Sequence, residues 1–171
     1  MTAGDFFRGI PQGRGLPPVE SWHPPHCGDS HMRIARDGTW FHEESPIGRG
    51  ELVRLFAGLL RKDDDGFVLV TPAEKLSIQV EDAPFLAVLL DRDGEGADQA
   101  LTLTTNVGDR VTLGPDHGLR MADGVPYVHV RRGLEAKVSR AVYYHLAEIA
   151  QPQDGVLGVW SGGVFFPLGS P

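Results

Sequence analysis

The sequence predicts an α+β fold made of a duplicated unit: two tandem, related units, each with antiparallel strands and one main helix. Three observations point there. Glycine (22) and proline (13) together make up about a fifth of the 171 residues, against an ordinary usage of about 12%. Such a chain favours turns and short strands. Only two stretches carry a helical period. The order of motifs in the first half also recurs in the second.

Residues 1–21 read as a flexible lead-in, because GIPQGRGLPP alternates breakers and has no hydrophobic period. The folded part is expected from Trp22, with a first unit over 22–82 and a second over 83–171. Leu52, Leu55, Phe56, Leu59 and Leu60 form the first helical stripe. Ser45-Pro46 marks its start, and Asp63-Asp64-Asp65-Gly66 closes it as a turn. Leu76, Ile78 and Val80 alternate with Ser77 and Gln79, a strand pattern. The run from Phe85 to Leu90 is continuously apolar and predicts a strand covered on both faces. Asp91 to Gln99 reads as a hairpin loop leading to the alternating strand at Leu101. Val138, Val142, Leu146 and Ile149 form the second helical stripe, stopped by Gln151-Pro152. Gly162-Gly163 then sits at the tight turn of a hairpin running from Val159 to Phe166.

The repeat is read from matches in the same order. Arg33-Ile34-Ala35 followed by Asp37-Gly38 answers to Arg120-Met121-Ala122-Asp123-Gly124. Trp40-Phe41-His42 answers to Tyr127-Val128-His129. Ile47-Gly48-Arg49 answers to Val138-Ser139-Arg140 at the helix starts. Asp65-Gly66 and the strand after it answer to Asp154-Gly155 and its strand. Two such units would each present an open sheet face, and packing them together would hide both. A seam of that kind is a favoured place for a ligand pocket.

Composition removes several function classes. The net charge of −7 argues against binding a nucleic-acid polymer or an anionic membrane by bulk electrostatics. The longest apolar run, Phe85 to Leu90, has six residues, where a membrane span needs about 20. MTAGDFFRGI lacks the basic start and apolar stretch of a secretory leader, so a cytoplasmic location is expected. A single cysteine, Cys27, allows no internal disulfide; it is expected as a small buried hydrophobe.

The strings CGDSHMRIARDGTWFHEESPIGRGELVRLF, LVTPAEKLSIQVEDAPF, TNVGD, GPDHGL and HVRRGLEA together resemble the bacterial family catalogued as domain of unknown function 1285. The likeness runs from Trp22 to Ile149. It implies a duplicated core and a second half superficially like a pleckstrin-homology fold, a curled antiparallel sheet capped by a helix. It also implies a seam site for a nucleotide-like ligand and a regulatory role in signalling. Joined to the reading of the residues, the expected fold is α+β, a duplicated unit with curled antiparallel sheets and one main helix each, the second half pleckstrin-homology-like.

Recognition chemistry stands out more than catalysis. No GxSxG elbow, GxxxxGK[ST] loop or HExxH helix occurs, no cofactor is expected, and no catalytic residue is assigned. Thr105-Asn106-Val107-Gly108-Asp109 ends a strand and suits an amide edge or an anion. His129 and Arg131 share one sheet face, where a guanidinium can clamp a phosphate or carboxylate; a pair between Arg131 and Glu135 or an aspartate is the plainer alternative. Arg33 with Asp29 reads as a turn pair or part of the same site. Arg49 and Arg140, at helix starts, are expected to answer Glu44 or Glu135. The favoured reading is a non-catalytic regulatory protein binding a small anionic, nucleotide-like ligand at the seam between its two units, through Asp29, Arg33, Asn106, His129 and Arg131. Two alternatives stay open. One is a metal-dependent hydrolase built on the His23–His31 cluster, although its spacing matches no common finger, so no metal ligand is assigned. The other is a scaffold that binds a protein partner through a sheet edge or an apolar patch at Phe165-Phe166.

Overall fold

The computed structural model describes residues 15–169. Residues 1–14, most of the expected lead-in, lie outside the described residues. The chain divides into two compact units, with the division between Asp82 and Ala83.

The first unit contains β1 (His26–Ile34), β2 (Trp40–His42), β3 (Ser45–Pro46), α1 (Gly50–Gly58), β4 (Leu60–Asp63), β5 (Gly66–Val70) and β6 (Lys75–Val80). They form one sheet in the order β3-β2-β1-β6-β5-β4. All its pairs are antiparallel except β1 with β6. Ile34, Trp40, Leu59, Leu60 and Leu69 are the large, fully buried side chains at its core.

The first helix is shorter than its leucine stripe predicts. Ser45-Pro46 forms β3 instead of a helix start, and Leu60 already belongs to β4, opposite Leu69. The Leu59 N–H closes back on the Phe56 carbonyl at 2.9 Å, and the Leu59 carbonyl accepts from Val70 N–H at 3.0 Å. The sheet thus captures the last two members of the stripe, because a leucine doublet serves a helix end and a strand start equally well. Leu55 is left 41% exposed.

The packed chain also begins before Trp22. Val19–Ser21 forms a 3-10 turn, and Val19 is fully buried. Arg61 on β4 holds it there, with Nη1 donating to the carbonyls of Val19 and Trp22, both at 2.7 Å. Its Nε and Nη2 bind the Asp63 carboxylate at 2.7 and 3.0 Å. Lys75 of β6 reaches the same carboxylate at 3.1 Å.

The second unit contains β7 (Phe85–Asp93), β8 (Ala100–Thr105), β9 (Arg110–Thr112), β10 (Leu119–Ala122), β11 (Val125–Arg131), β12 (Leu134–Val138), α2 (Arg140–Glu148), β13 (Gln151–Gln153), β14 (Val156–Ser161) and β15 (Val164–Gly169). One sheet has the order β10-β11-β12-β7-β8-β9, and a second the order β13-β14-β15. The apolar run at the start of β7 is not covered on both faces. A register shift between Ala87 and Leu89 leaves Val88 37% and Leu89 59% exposed, the re-aiming of side chains that a bulge brings. Gly162 and Gly163 have φ of 59° and 79° at the β14–β15 turn, the tight hairpin that the glycine pair predicts.

The duplication is visible in the connectivity. Three strands, a helix and three strands appear as β1–β3, α1, β4–β6, and again as β10–β12, α2, β13–β15. In the first copy β1 and β6 join the two triplets into one sheet. In the second, β10 runs beside β15, but the triplets belong to separate sheets. Strands β7–β9 are an addition, attached to β12 by a parallel pair. The helices share their place but not their caps. Arg49 offers α1 no side-chain cap, whereas Ser139 Oγ accepts from Val142 N–H at 3.3 Å on α2. Ser139→Ala is expected to cost about 1 kcal/mol in urea unfolding; an unchanged midpoint would show that the cap contributes nothing.

Candidate functional site

The side chains Asp29 and Arg33 meet in a cleft built by irregular backbone. Along β1, Asp29 pairs with Ser77 and Arg33 with Gln79, so β1 spends two more residues than β6 over the same stretch. The surplus is absorbed at His31, which takes a left-handed φ of 59°. Asp29 Oδ1 accepts from His31 N–H at 2.8 Å, and Ser30 Oγ accepts from Met32 N–H at 3.2 Å. On the neighbouring β2–β3 turn, Glu43 and Glu44 are also left-handed, with φ of 49° and 66°. The Glu43 N–H bonds the His31 carbonyl at 2.9 Å and ties the two irregular segments together. Between them lies a cleft of about 310 Å³, lined by Asp29, His31, Met32, Arg33, Glu43, Glu44 and Gln79.

A non-glycine left-handed residue costs roughly 1–2 kcal/mol, and such conformations gather where function requires them. Among the described residues, Asp123, Arg132 and Asp154 share the conformation, but each precedes a left-handed glycine. His31, Glu43 and Glu44 line the cleft instead.

Arg33 is the one arginine or lysine lining the cleft. Its Nη1 donates to Glu81 at 2.8 Å and its Nη2 to Glu44 at 3.0 Å, while the guanidinium lies 4.3 Å from the Phe41 ring centroid. Glu44, with Glu81 behind it, pushes the guanidinium above its ordinary value. The two carboxylates are not held alike: the Glu44 side chain is 78% exposed and that of Glu81 39%.

The other three sequence-predicted residues belong to the second unit, at one end of its larger sheet. Asn106 Oδ1 accepts from Leu86 N–H at 3.0 Å, and its own N–H donates to the Leu86 carbonyl at 2.8 Å. That amide therefore ties the turn after β8 to β7. Arg131 lies 5.0 Å from the Phe85 ring centroid and reaches the Asp109 carboxylate at 3.4 Å through both Nε and Nη2. Its carboxylate is thus Asp109 and not Glu135. Glu135 instead binds Arg120 through two bonds of 2.7 Å, and Glu44 binds Arg33. Neither glutamate is the partner expected for Arg49 or Arg140.

His129 has both ring nitrogens engaged. Nε2 accepts from Gly133 N–H at 3.1 Å, and Nδ1 faces the Asp116 carbonyl at 3.3 Å. Those partners assign the proton to Nδ1. The His117 ring lies 6.1 Å away, inclined by 24°, with its Nδ1 at 3.0 Å from the His129 carbonyl.

The histidine and cysteine cluster disperses. His26 Nε2 bonds Ser77 Oγ at 2.7 Å. Cys27 is exposed, not buried, and its thiol donates to the Pro25 carbonyl at 3.3 Å. Among the described residues, no three histidine, cysteine, aspartate or glutamate side chains come together as a metal-binding group. No described helix is long and apolar enough to cross a membrane. Phe166, in the apolar pair considered as a partner patch, is 6% exposed, and Phe165 packs on Trp160 with centroids 5.3 Å apart. Sequence reasoning missed Glu43 and Gln79, and named Glu44 only as a partner for Arg49 or Arg140. A hairpin turn made of two glutamates carries no turn signal, and Gln79 reads as any outward residue of β6.

Family models match both parts of the chain. Residues 17–83 match the N-terminal domain of the domain of unknown function DUF1285, and residues 84–168 match the C-terminal domain of that protein of unknown function. The crystal structure of a DUF1285 family protein from Silicibacter pomeroyi DSS-3 is similar at 48% identity. It covers 95% of this chain and 92% of that one, with a TM-score of 0.90. A second crystal structure, of a DUF1285 family protein from Shewanella baltica OS155, is 30% identical. It covers 68% of this chain and 90% of that one, with a TM-score of 0.57. No curated protein matches.

Proposed function

Because the chain belongs to the DUF1285 family, whose function is unknown, we propose a reading from its own residues: a non-catalytic regulatory protein that binds a small anionic, nucleotide-like ligand. The observation that carries it is the cleft of the first unit, where Asp29 and Arg33 stand with Gln79 between two left-handed segments. About 310 Å³ is at the small end of the range for small-molecule pockets, ~300–1,000 Å³.

The lining selects the ligand's parts. Asp29, Glu43 and Glu44 accept hydrogen bonds and repel anions, so most of the ligand must present hydroxyl or N–H donors, as a sugar and a base do. One anionic group has a place, on Arg33. It takes over Nη2 from Glu44, the more exposed carboxylate, whose release costs little because exposed ion pairs contribute only about 0–1 kcal/mol. The regulatory part follows from the same exchange. Freeing Glu44 loosens the strained β2–β3 turn, so occupancy changes the surface the unit presents.

A panel of nucleosides and nucleotides in a thermal-shift assay tests this reading. A binder present at 100 times its Kd is expected to stabilise the protein by about 2.7 kcal/mol. Arg33→Ala is expected to weaken a phosphate-bearing ligand about tenfold or more. Glu44→Ala should leave its binding intact or tighter. A flat response across the panel, or one indifferent to Arg33, overturns the reading.

A further inference from the structure

We infer that the first unit's cleft has a counterpart in the second unit, filled there by the ring of His117, and that the open copy takes a planar nitrogen heterocycle in the corresponding place. The inference rests on the reading of the cleft as a binding site and names the class of ring it accepts.

The correspondence is fixed by backbone pairing. Met32 and Arg33 face His42 and Phe41 across β1–β2, as Leu119 and Arg120 face Val128 and Tyr127 across β10–β11. Just outside each ladder the same bond recurs: Glu43 N–H to the His31 carbonyl at 2.9 Å, and His129 N–H to the Gly118 carbonyl at 3.0 Å. Glu43 therefore answers to His129, and His31 to Gly118. Each copy lays its arginine over the facing aromatic ring, at 4.3 and 4.6 Å, and pairs it with a glutamate, Glu44 or Glu135. An aspartate stands four positions before each arginine, Asp29 and Asp116.

The copies part at the residue after that aspartate. In the second unit it is His117, whose ring stacks on His129 and whose Nδ1 donates to the His129 carbonyl. In the first it is Ser30, a side chain with no ring, whose hydroxyl turns back to Met32 N–H. Near Glu43, where the second copy keeps a flat ring with an N–H donor, the first copy has the cleft, lined by Asp29 and His31 on either side of Ser30 and not by Ser30 itself. A ligand ring there replaces what the chain itself supplies in the other copy. It must be planar and carry ring N–H or exocyclic N–H groups for the surrounding carboxylates.

Titrating the isotope-labelled full chain with imidazole, adenosine and ribose 5-phosphate tests this by NMR. Imidazole and adenosine are expected to move the amides of His31, Glu43 and Gln79 saturably. Ser30→His should reduce their affinity about tenfold or more. In His117→Ser the same probes should also move the amides around Tyr127 and His129. If Ser30→His binds them like the wild type, the inference is overturned. If Ser30→His does not fold, His117→Ser decides alone, and a second unit that stays silent to the probes overturns the correspondence. A cleft that answers ribose 5-phosphate but neither ring compound overturns the inference and leaves the proposed function standing. A cleft that answers none of the three overturns both.

Discussion

Replacing Ser161 with alanine is expected to cost about 2–4 kcal/mol and to be the most damaging single-atom deletion in the second unit. The hydroxyl is fully buried. It donates to the Leu113 carbonyl at 2.7 Å and accepts from Leu101 N–H at 2.9 Å. Both partners belong to the larger sheet or its continuation after β9, while Ser161 ends β14 in the smaller one. Alanine keeps the packing but leaves a buried N–H and a buried carbonyl without this partner, each costing about 1–3 kcal/mol. Gln99 makes a related tie, Nε2 to the Trp160 carbonyl at 2.9 Å, and is itself held by Arg92 at 2.8 Å. Denaturant unfolding measures the total, and hydrogen exchange at Leu101 locates it. A loss below 1 kcal/mol would mean that the two sheets hold together without this hydroxyl. Thr102→Val is the control: its hydroxyl pairs with Thr112 at 2.8 Å on an exposed surface and should cost well under about 1 kcal/mol.

Arg61→Ala is expected to destabilise the first unit by about 2–4 kcal/mol, because charge-assisted hydrogen bonds contribute about 1.5–3 kcal/mol each and several act together here. Arg61→Lys should recover little of this. An ammonium cannot serve two carbonyls and a two-pronged carboxylate from one planar fork. Full recovery by lysine would reduce the role of Arg61 to simple charge. The same network sets an acid limit. Arg61, with Lys75, holds the Asp63 carboxyl below its ordinary range. The stabilisation from Asp63 is therefore complete above the ordinary aspartate value, about 3.9, and is lost as pH falls from there through the lowered folded value. Asp63→Asn should flatten that part of the stability profile, and an unaltered acid limb would assign it to other carboxylates.

Much of the fold is legible because local chemistry agrees with it. Gly162-Gly163 specifies its turn, Ser139 caps α2, and Asp123-Gly124 and Asp154-Gly155 mark hairpins. The repeat is legible as well, but its residue matching slips by one. Trp40 and Tyr127 align in sequence, yet Phe41 holds the place of Tyr127, because the β1–β2 connection is one residue longer than its counterpart. The parallel pair β1–β6 leaves no local trace, since the two strands are separated in sequence by all the other elements of the unit. The cleft is hidden for a related reason. Glu43 and Glu44 have no intrinsic preference for left-handed backbone; the bond of Glu43 N–H to the His31 carbonyl and the pairing of Glu44 with Arg33 hold them there. Asp29 and Arg33 are readable as a polar pair, whereas the space beside them is not.

The parallel pairing of β1 with β6 also constrains how the protein is made. Strand β1 can pair early with β2, but its other edge waits for Lys75–Val80. Until then a growing chain, or a fragment ending before Lys75, carries an unpaired strand edge of the kind that recruits other chains. The first unit is finished by its last strand, immediately before the second unit begins.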